Sequence, residues 1–291
     1  MKDYYLDRVR LRSLMGRASG SPDVIIGLID GPVDLSHPDF RGARVRTAKD
    51  SQTASCMIND SVACMHGTFV AGILFARRSS KAPAICPNCE IVLTPIFPEQ
   101  RSGSPNIPSC SPDKLAVAVV GAVDAGVRII NLSLGLSASS ISNYRELDEA
   151  FDYARSRGVI VVAATGNQAS VGYLPLLQHP WVIPVAACDV TGRISPVSNI
   201  GFSIGRRGLM APGVNITSTM PGGQYTQMSG TSVAAPFVTG SIALIWSEYP
   251  AAGASLIRRS VHMAANHKRR SLIPPILNVE ATWKYLKATF K

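Results

Sequence analysis

Apolar residues run almost without interruption through VIIGLID (24–30), EIVLTPIF (90–97), VRIINLSLG (127–135), GVIVVAATG (158–166) and WVIPVAAC (181–188). Runs this short, this continuous and this rich in Val and Ile predict strands buried on both faces. Between them, DKLAVAVVGAVDAG (113–126) and YRELDEAFDYARSRG (144–158) have helical length, and each closes on a glycine suited to a helix end. Strand, helix, strand in this order predicts an α/β fold with a mostly parallel central sheet flanked by helices. Functional groups of such sheets collect outside the carboxyl ends of the strands. Asp30 and Gly135 end two of these runs, and Asn167 directly follows a third.

Composition narrows the picture without changing it. The 291 residues, 46% hydrophobic and 16% charged, suffice for one large core, so residues 1–291 are expected to form a single catalytic domain, with 1–22 as a basic amino-terminal extension. The 24 glycines and 20 prolines are scattered as turn punctuation, and EQRSGSPNIPSCSP (99–112) reads as a polar loop. The extension, MKDYYLDRVRLRSLMG, alternates charged with apolar residues and never forms the apolar core of a signal peptide or membrane span. A cytoplasmic protein with no membrane partner is therefore expected. The net charge of +10 suits an acidic partner. Its basic residues fall in short pairs (Arg77-Arg78, Arg206-Arg207, Arg258-Arg259, and Lys268-Arg269-Arg270) without interleaved aromatics, which argues against nucleic acid as that partner.

A serine hydroxyl is a poor nucleophile near neutral pH, so a serine hydrolase needs a histidine to take its proton and a carboxylate to orient that histidine. Asp30 closes the first apolar run and is followed at once by the turn-rich GPVDLSHPDF. His66 stands in MHGTFVAGILFA, where Gly67, Ala71 and Gly72 allow a helix to begin beside it and to pack close to the sheet. Ser232 lies in MSGTSVAAPFVTGSIALIWS, a glycine turn feeding an apolar helix, which places its hydroxyl at a helix amino terminus. Taken singly, each is as well read as a turn former, a structural histidine or an ordinary cap.

Together and in this order, the three segments resemble the aspartate, histidine and serine motifs of the subtilisin-like serine peptidases. The likeness extends from about Val24 through the helix ending near Tyr249 and again at ILNVEATWKYL. It implies the family's three-layer fold, a catalytic triad of Asp30, His66 and Ser232, and no cofactor. It also implies that Asn167, in AATGN, donates its side-chain amide to the oxyanion beside the backbone N–H of Ser232. By the same likeness Ser133, Leu134 and Gly135 pair with an extended substrate, while Leu134 and the strand Ala163, Ala164, Thr165 line the pocket beside the scissile bond. SLG is equally well read as the end of a core strand.

Within the family, LIDGPVDLSHPDF, IVLTPIFPE and the short amino terminus resemble the subtilases that mature ribosomally made cyanobactin peptides. The macrocyclising members carry a helical cap between the aspartate and histidine segments, and the roughly 35 residues from Asp30 to His66 leave too little chain for one. Hydrolysis of a precursor peptide, whose leader is often acidic, is the expected reaction. The alternatives are general protein degradation, acyl transfer to an amine, and a non-catalytic binding role. GTFVAGILFARRSS holds no acidic or amide insertion of the kind that carries calcium in many members, so no metal is expected there. Cys56, Cys64, Cys86 and Cys89 are read as free thiols ahead of disulfides, with zinc last. A Cys56–Cys64 bridge would fix the loop before His66.

Overall fold

All five apolar runs become neighbouring strands. The structure is a computed structural model that describes residues 4–48, 54–100, 109–136, 144–172, 175–265 and 271–290. In chain order the elements are α1 (Tyr4–Arg8), α2 (Arg12–Met15), β1 (Ile25–Asp30), β2 (Arg44–Thr47), α3 (Val62–Phe75), β3 (Glu90–Pro95), β4 (Ser109–Cys110) and α4 (Pro112–Asp124). There follow β5 (Ile129–Leu132), β6 (Gly135–Leu136), α5 (Arg145–Ser156), β7 (Ile160–Ala164), β8 (Val182–Cys188), α6 (Phe202–Arg207), β9 (Leu209–Pro212) and β10 (Ile216–Met220). The chain closes with β11 (Gln224–Met228), α7 (Thr231–Glu248), α8 (Ala254–Ala264) and α9 (Val279–Thr289).

Seven strands form one sheet in the order β2-β3-β1-β5-β7-β8-β9, every pair parallel. The doubly buried character expected of the runs holds, since β5, β7 and β8 are buried along their whole length. The sequence reading overlooked the two edge strands. β2 is only four residues long and leaves Arg44 and Arg46 exposed, which blunts the edge against further pairing.

Helices α3 and α7 are apolar around their whole circumference and almost fully buried, α7 packing on β5, β7, β8 and β9 and α3 on α7. By contrast, α5 buries Leu147, Ala150, Phe151 and Ala154 along one stripe and leaves its charged face to water. The amino-terminal segment is packed, not loose. Leu6, Val9, Leu11 and Leu14 join the main hydrophobic core, and Arg78 ties the segment down through the carbonyls of Met15 and Ala18. No helix among the described residues is long and apolar enough to cross a membrane. Lys268-Arg269-Arg270 and most of the 99–112 loop lie outside the described residues.

Candidate active site

Asp30 is the last residue of β1 and is wholly buried. Its Oδ1 accepts hydrogen bonds from the backbone N–H of Gly31 at 2.6 Å and from Nδ1 of His66 at 2.7 Å. A buried carboxylate held in this way fixes which imidazole nitrogen carries the proton and leaves Nε2 as the basic one. Burial alone would disfavour the imidazolium, but the charge of Asp30 and its hydrogen bond outweigh that effect and lift the His66 pKa above its ordinary 6.5.

The contact depends on glycines. A Cβ on Gly31 would stand 2.1 Å from the carbonyl oxygen of Ala63, and one on Gly67 would stand 2.4 Å from that of Pro32. With hydrogen in both places, α3 lies directly against the turn that leaves Asp30. The helix does not begin beside His66, as the sequence suggested, but four residues earlier at Val62. The hydroxyl of Ser61 caps it by accepting from the N–H of Cys64 at 3.0 Å. His66 thereby sits in the second turn, where helical geometry holds its side chain more firmly than a frayed first residue could.

Ser232 is the second residue of α7, whose first-turn N–H groups and dipole face the site. Asn167 turns its Oδ1 inward, accepting from the N–H of Thr231 at 2.9 Å, while the Thr231 hydroxyl accepts from the N–H of Gly166 at 2.9 Å. With the oxygen engaged, the Asn167 amide N–H₂ remains to donate toward the cleft. Gly230, with φ +150°, would place any Cβ 3.0 Å from that amide nitrogen.

His66, Asn167 and Ser232 share one cleft of about 390 Å³. No hydrogen bond joins the His66 and Ser232 side chains among the described residues, and catalytic hydrogen bonds commonly tighten only when substrate is bound. Ser133, Leu134, Gly135 and Ala164 line the cleft. Ala163 and Thr165 do not: successive side chains of a strand alternate, and these two are buried behind the wall. Gly135 is already paired with Ser109 through the parallel strands β6 and β4.

Sequence reasoning missed Val62, Ala63, Phe97, Gln168, Ser229 and Thr231 in the lining. Phe97 was findable, because it closes the apolar run 90–97 at the same sheet edge as Asp30. Gln168 had no local signal of its own.

One expectation is overturned outright. Cys56 and Cys64 form a disulfide, where free thiols had been favoured, because the loop after residue 54 folds back onto the first turn of α3 and brings the sulfurs together. Glu99 binds the same loop, its carboxylate accepting from the N–H groups of Met57 and Ile58. Cys86, Cys89, Cys110 and Cys188 are free and buried, and burial pushes the Cys110 thiol up to about 11 and the Cys188 thiol up to about 12.

Several known proteins are similar to this chain. A thermophilic serine proteinase of Bacillus sp. (strain AK1) is 34% identical over 233 residues, covering 79% of this chain. This chain spans about half (53%) of that relative's length. Among solved structures, the patellamide maturation protease PatA matches with TM-score 0.77 and 30% identity, over 92% of this chain and 98% of that one. The prenylagaramide maturation protease PagA matches with TM-score 0.81 and 27% identity, over 95% and 98%. The Peptidase_S8 profile of the subtilase family matches residues 21–277, and the chain belongs to that family.

Proposed function

We propose that this chain is a serine endopeptidase that hydrolyses peptide bonds through an acyl-enzyme on Ser232. The observation that carries this reading is the 2.7 Å hydrogen bond between His66 and the wholly buried Asp30, in the wall of a cleft that also holds Ser232 and Asn167. In the proposed reaction Nε2 of His66 takes the proton of Ser232 as Oγ attacks the scissile carbonyl. The developing oxyanion receives hydrogen bonds from the Asn167 amide and the backbone N–H of Ser232. The imidazolium, stabilised by Asp30, then protonates the leaving amine, and water repeats the cycle in reverse to release the acyl group.

For the substrate we propose a ribosomally made precursor peptide from which a leader or recognition sequence is cut. Two structural neighbours are named as maturation proteases, and the net charge of +10 complements an acidic leader. Hydrolysis is preferred over transfer to an amine because the described residues between Asp30 and the start of α3 hold only a turn of 3₁₀ helix at Pro38–Phe40 and β2, with no added helical cap among them to keep water from the cleft.

A fluorophosphonate probe tests the enzyme reading: it should label Ser232, and labelling should vanish in Ser232→Ala. Absence of labelling in the folded protein would remove the reading. Mass spectra of the products distinguish hydrolysis, which adds one water, from acyl transfer, which does not. As to compartment, the Cys56–Cys64 bridge supports an oxidising location over the cytoplasm. Alkylation of both thiols in freshly lysed cells would favour the cytoplasm instead.

A further inference from the structure

A proline stands four residues after the proposed nucleophile, inside its own helix. Pro236 occupies the position of α7 whose N–H would ordinarily close the hydrogen bond to the carbonyl of Ser232, and proline has no N–H to give. That carbonyl is nonetheless satisfied: the hydroxyl of Ser133 donates to it at 2.7 Å. Behind Ser133 the chain of donors continues. The amide of Asn131 donates to the Ser133 hydroxyl at 2.8 Å, and the hydroxyl of Thr239 donates to the Asn131 side-chain oxygen at 2.8 Å. Asn131 and Thr239 are fully buried and Ser133 is 2% exposed, so water offers no substitute for any of these bonds.

We infer that Ser133, backed by Asn131 and Thr239, is a positioning residue for the nucleophile: it supplies from the neighbouring strand the hydrogen bond that Pro236 denies to Ser232. This rests on the proposed role of Ser232. The relay leaves α7 at Thr239, crosses to β5 at Asn131, and returns to α7 at Ser232, so the helix from Ser232 to Thr239 is latched to the strand that leads to Leu134 and Gly135. The side chain of Ser133 thus serves the nucleophile, while only its backbone is assigned to the substrate. Two consequences follow. Loss of the hydroxyl should impair the chemical step and not substrate binding. The loss should also depend on the residue at 236, because an N–H there gives the Ser232 carbonyl a donor of its own.

The test is a mutant cycle on the full chain, with kcat and KM measured on one peptide substrate and Ser232 labelling measured in parallel. Ser133→Ala should lower kcat and the labelling rate about tenfold with KM within twofold of wild type, and Ser133→Thr, which keeps the hydroxyl, should restore most of the rate. In the Pro236→Ala background, Ser133→Ala should cost no more than about threefold. Thr239→Val should lower kcat severalfold, again without a change in KM, and serves if Ser133→Ala fails to fold. Equal losses in both backgrounds, a change confined to KM, or wild-type rates in both Ser133→Ala and Thr239→Val would overturn the inference while Ser232 still labels. Failure of wild type to label at Ser232 would instead remove the reading of the active site itself.

Discussion

Gly67 lies so close to Pro32 that a single added carbon would stand 2.4 Å from the proline's carbonyl oxygen. This approach lets α3 bring His66 onto Asp30, and it cannot be relaxed without moving either the helix or the turn after β1. Gly67→Ala should therefore destabilise the protein by about 1–3 kcal/mol, the usual cost of overpacking a close contact, and should depress kcat more than a remote substitution of equal destabilisation. Thermal melting beside steady-state kinetics checks both; full activity in a folded Gly67→Ala variant would count against the placement of His66.

Asn167 plays two parts that separate cleanly. Its oxygen accepts from Thr231 and its amide faces the cleft. Asn167→Asp preserves the first and removes the second, so it should lose about 10²–10³-fold in kcat, as removal of an oxyanion donor does, with KM changed little. Retention of more than a tenth of wild-type kcat would show that the amide is not the donor.

The pH profile follows from the Asp30–His66 pair. The base must be neutral to accept the proton, and its pKa lies above 6.5, so kcat/KM should rise with pH through a midpoint above that value. Asp30→Asn should lower the midpoint and reduce kcat by about 10⁴-fold. The stability effect has the opposite direction: a group whose pKa is raised on folding contributes fully below its unfolded pKa, and this contribution is lost as pH climbs through the folded one. A chemical denaturation series should show that loss in wild type and not in Asp30→Asn.

Reduction should unlock the loop before α3. The Cys56–Cys64 bridge closes a short ring, with a sequence separation of 8, which by loop entropy is worth about 2–3 kcal/mol. A thiol reductant should lower Tm by a few degrees and reduce activity, while a Cys56→Ser/Cys64→Ser variant should be insensitive to it. Identical melting with and without reductant in wild type would dismiss the structural role.

Cleavage of an acidic precursor should weaken as salt rises from about 0.05 to 0.5 M, since screening shortens the reach of the +10 charge. A neutral peptide with the same cleavage sequence should show little dependence. A rate independent of salt for the acidic substrate would remove leader charge from the recognition argument.

What the sequence determined by itself was local and periodic. Doubly buried strands must be apolar throughout, so the runs that end at Asp30 and Gly135 and just before Asn167 mark the carboxyl edge of the sheet, and the glycine-flanked motifs around His66 and Ser232 name the candidates. The tertiary structure decided what depends on residues far apart in the chain. Cys56 meets Cys64 because a loop folds back on α3; Ala163 and Thr165 miss the cleft because strand alternation turns them away; Ser133 serves Ser232, 99 residues later, only because β5 packs beneath α7. A hydrogen bond carries no trace in the spacing of its partners when a whole sheet and helix lie between them. Pro236 leaves the carbonyl of Ser232 without its helical partner, and only the packing of the segment after β5 against α7 supplies another in Ser133.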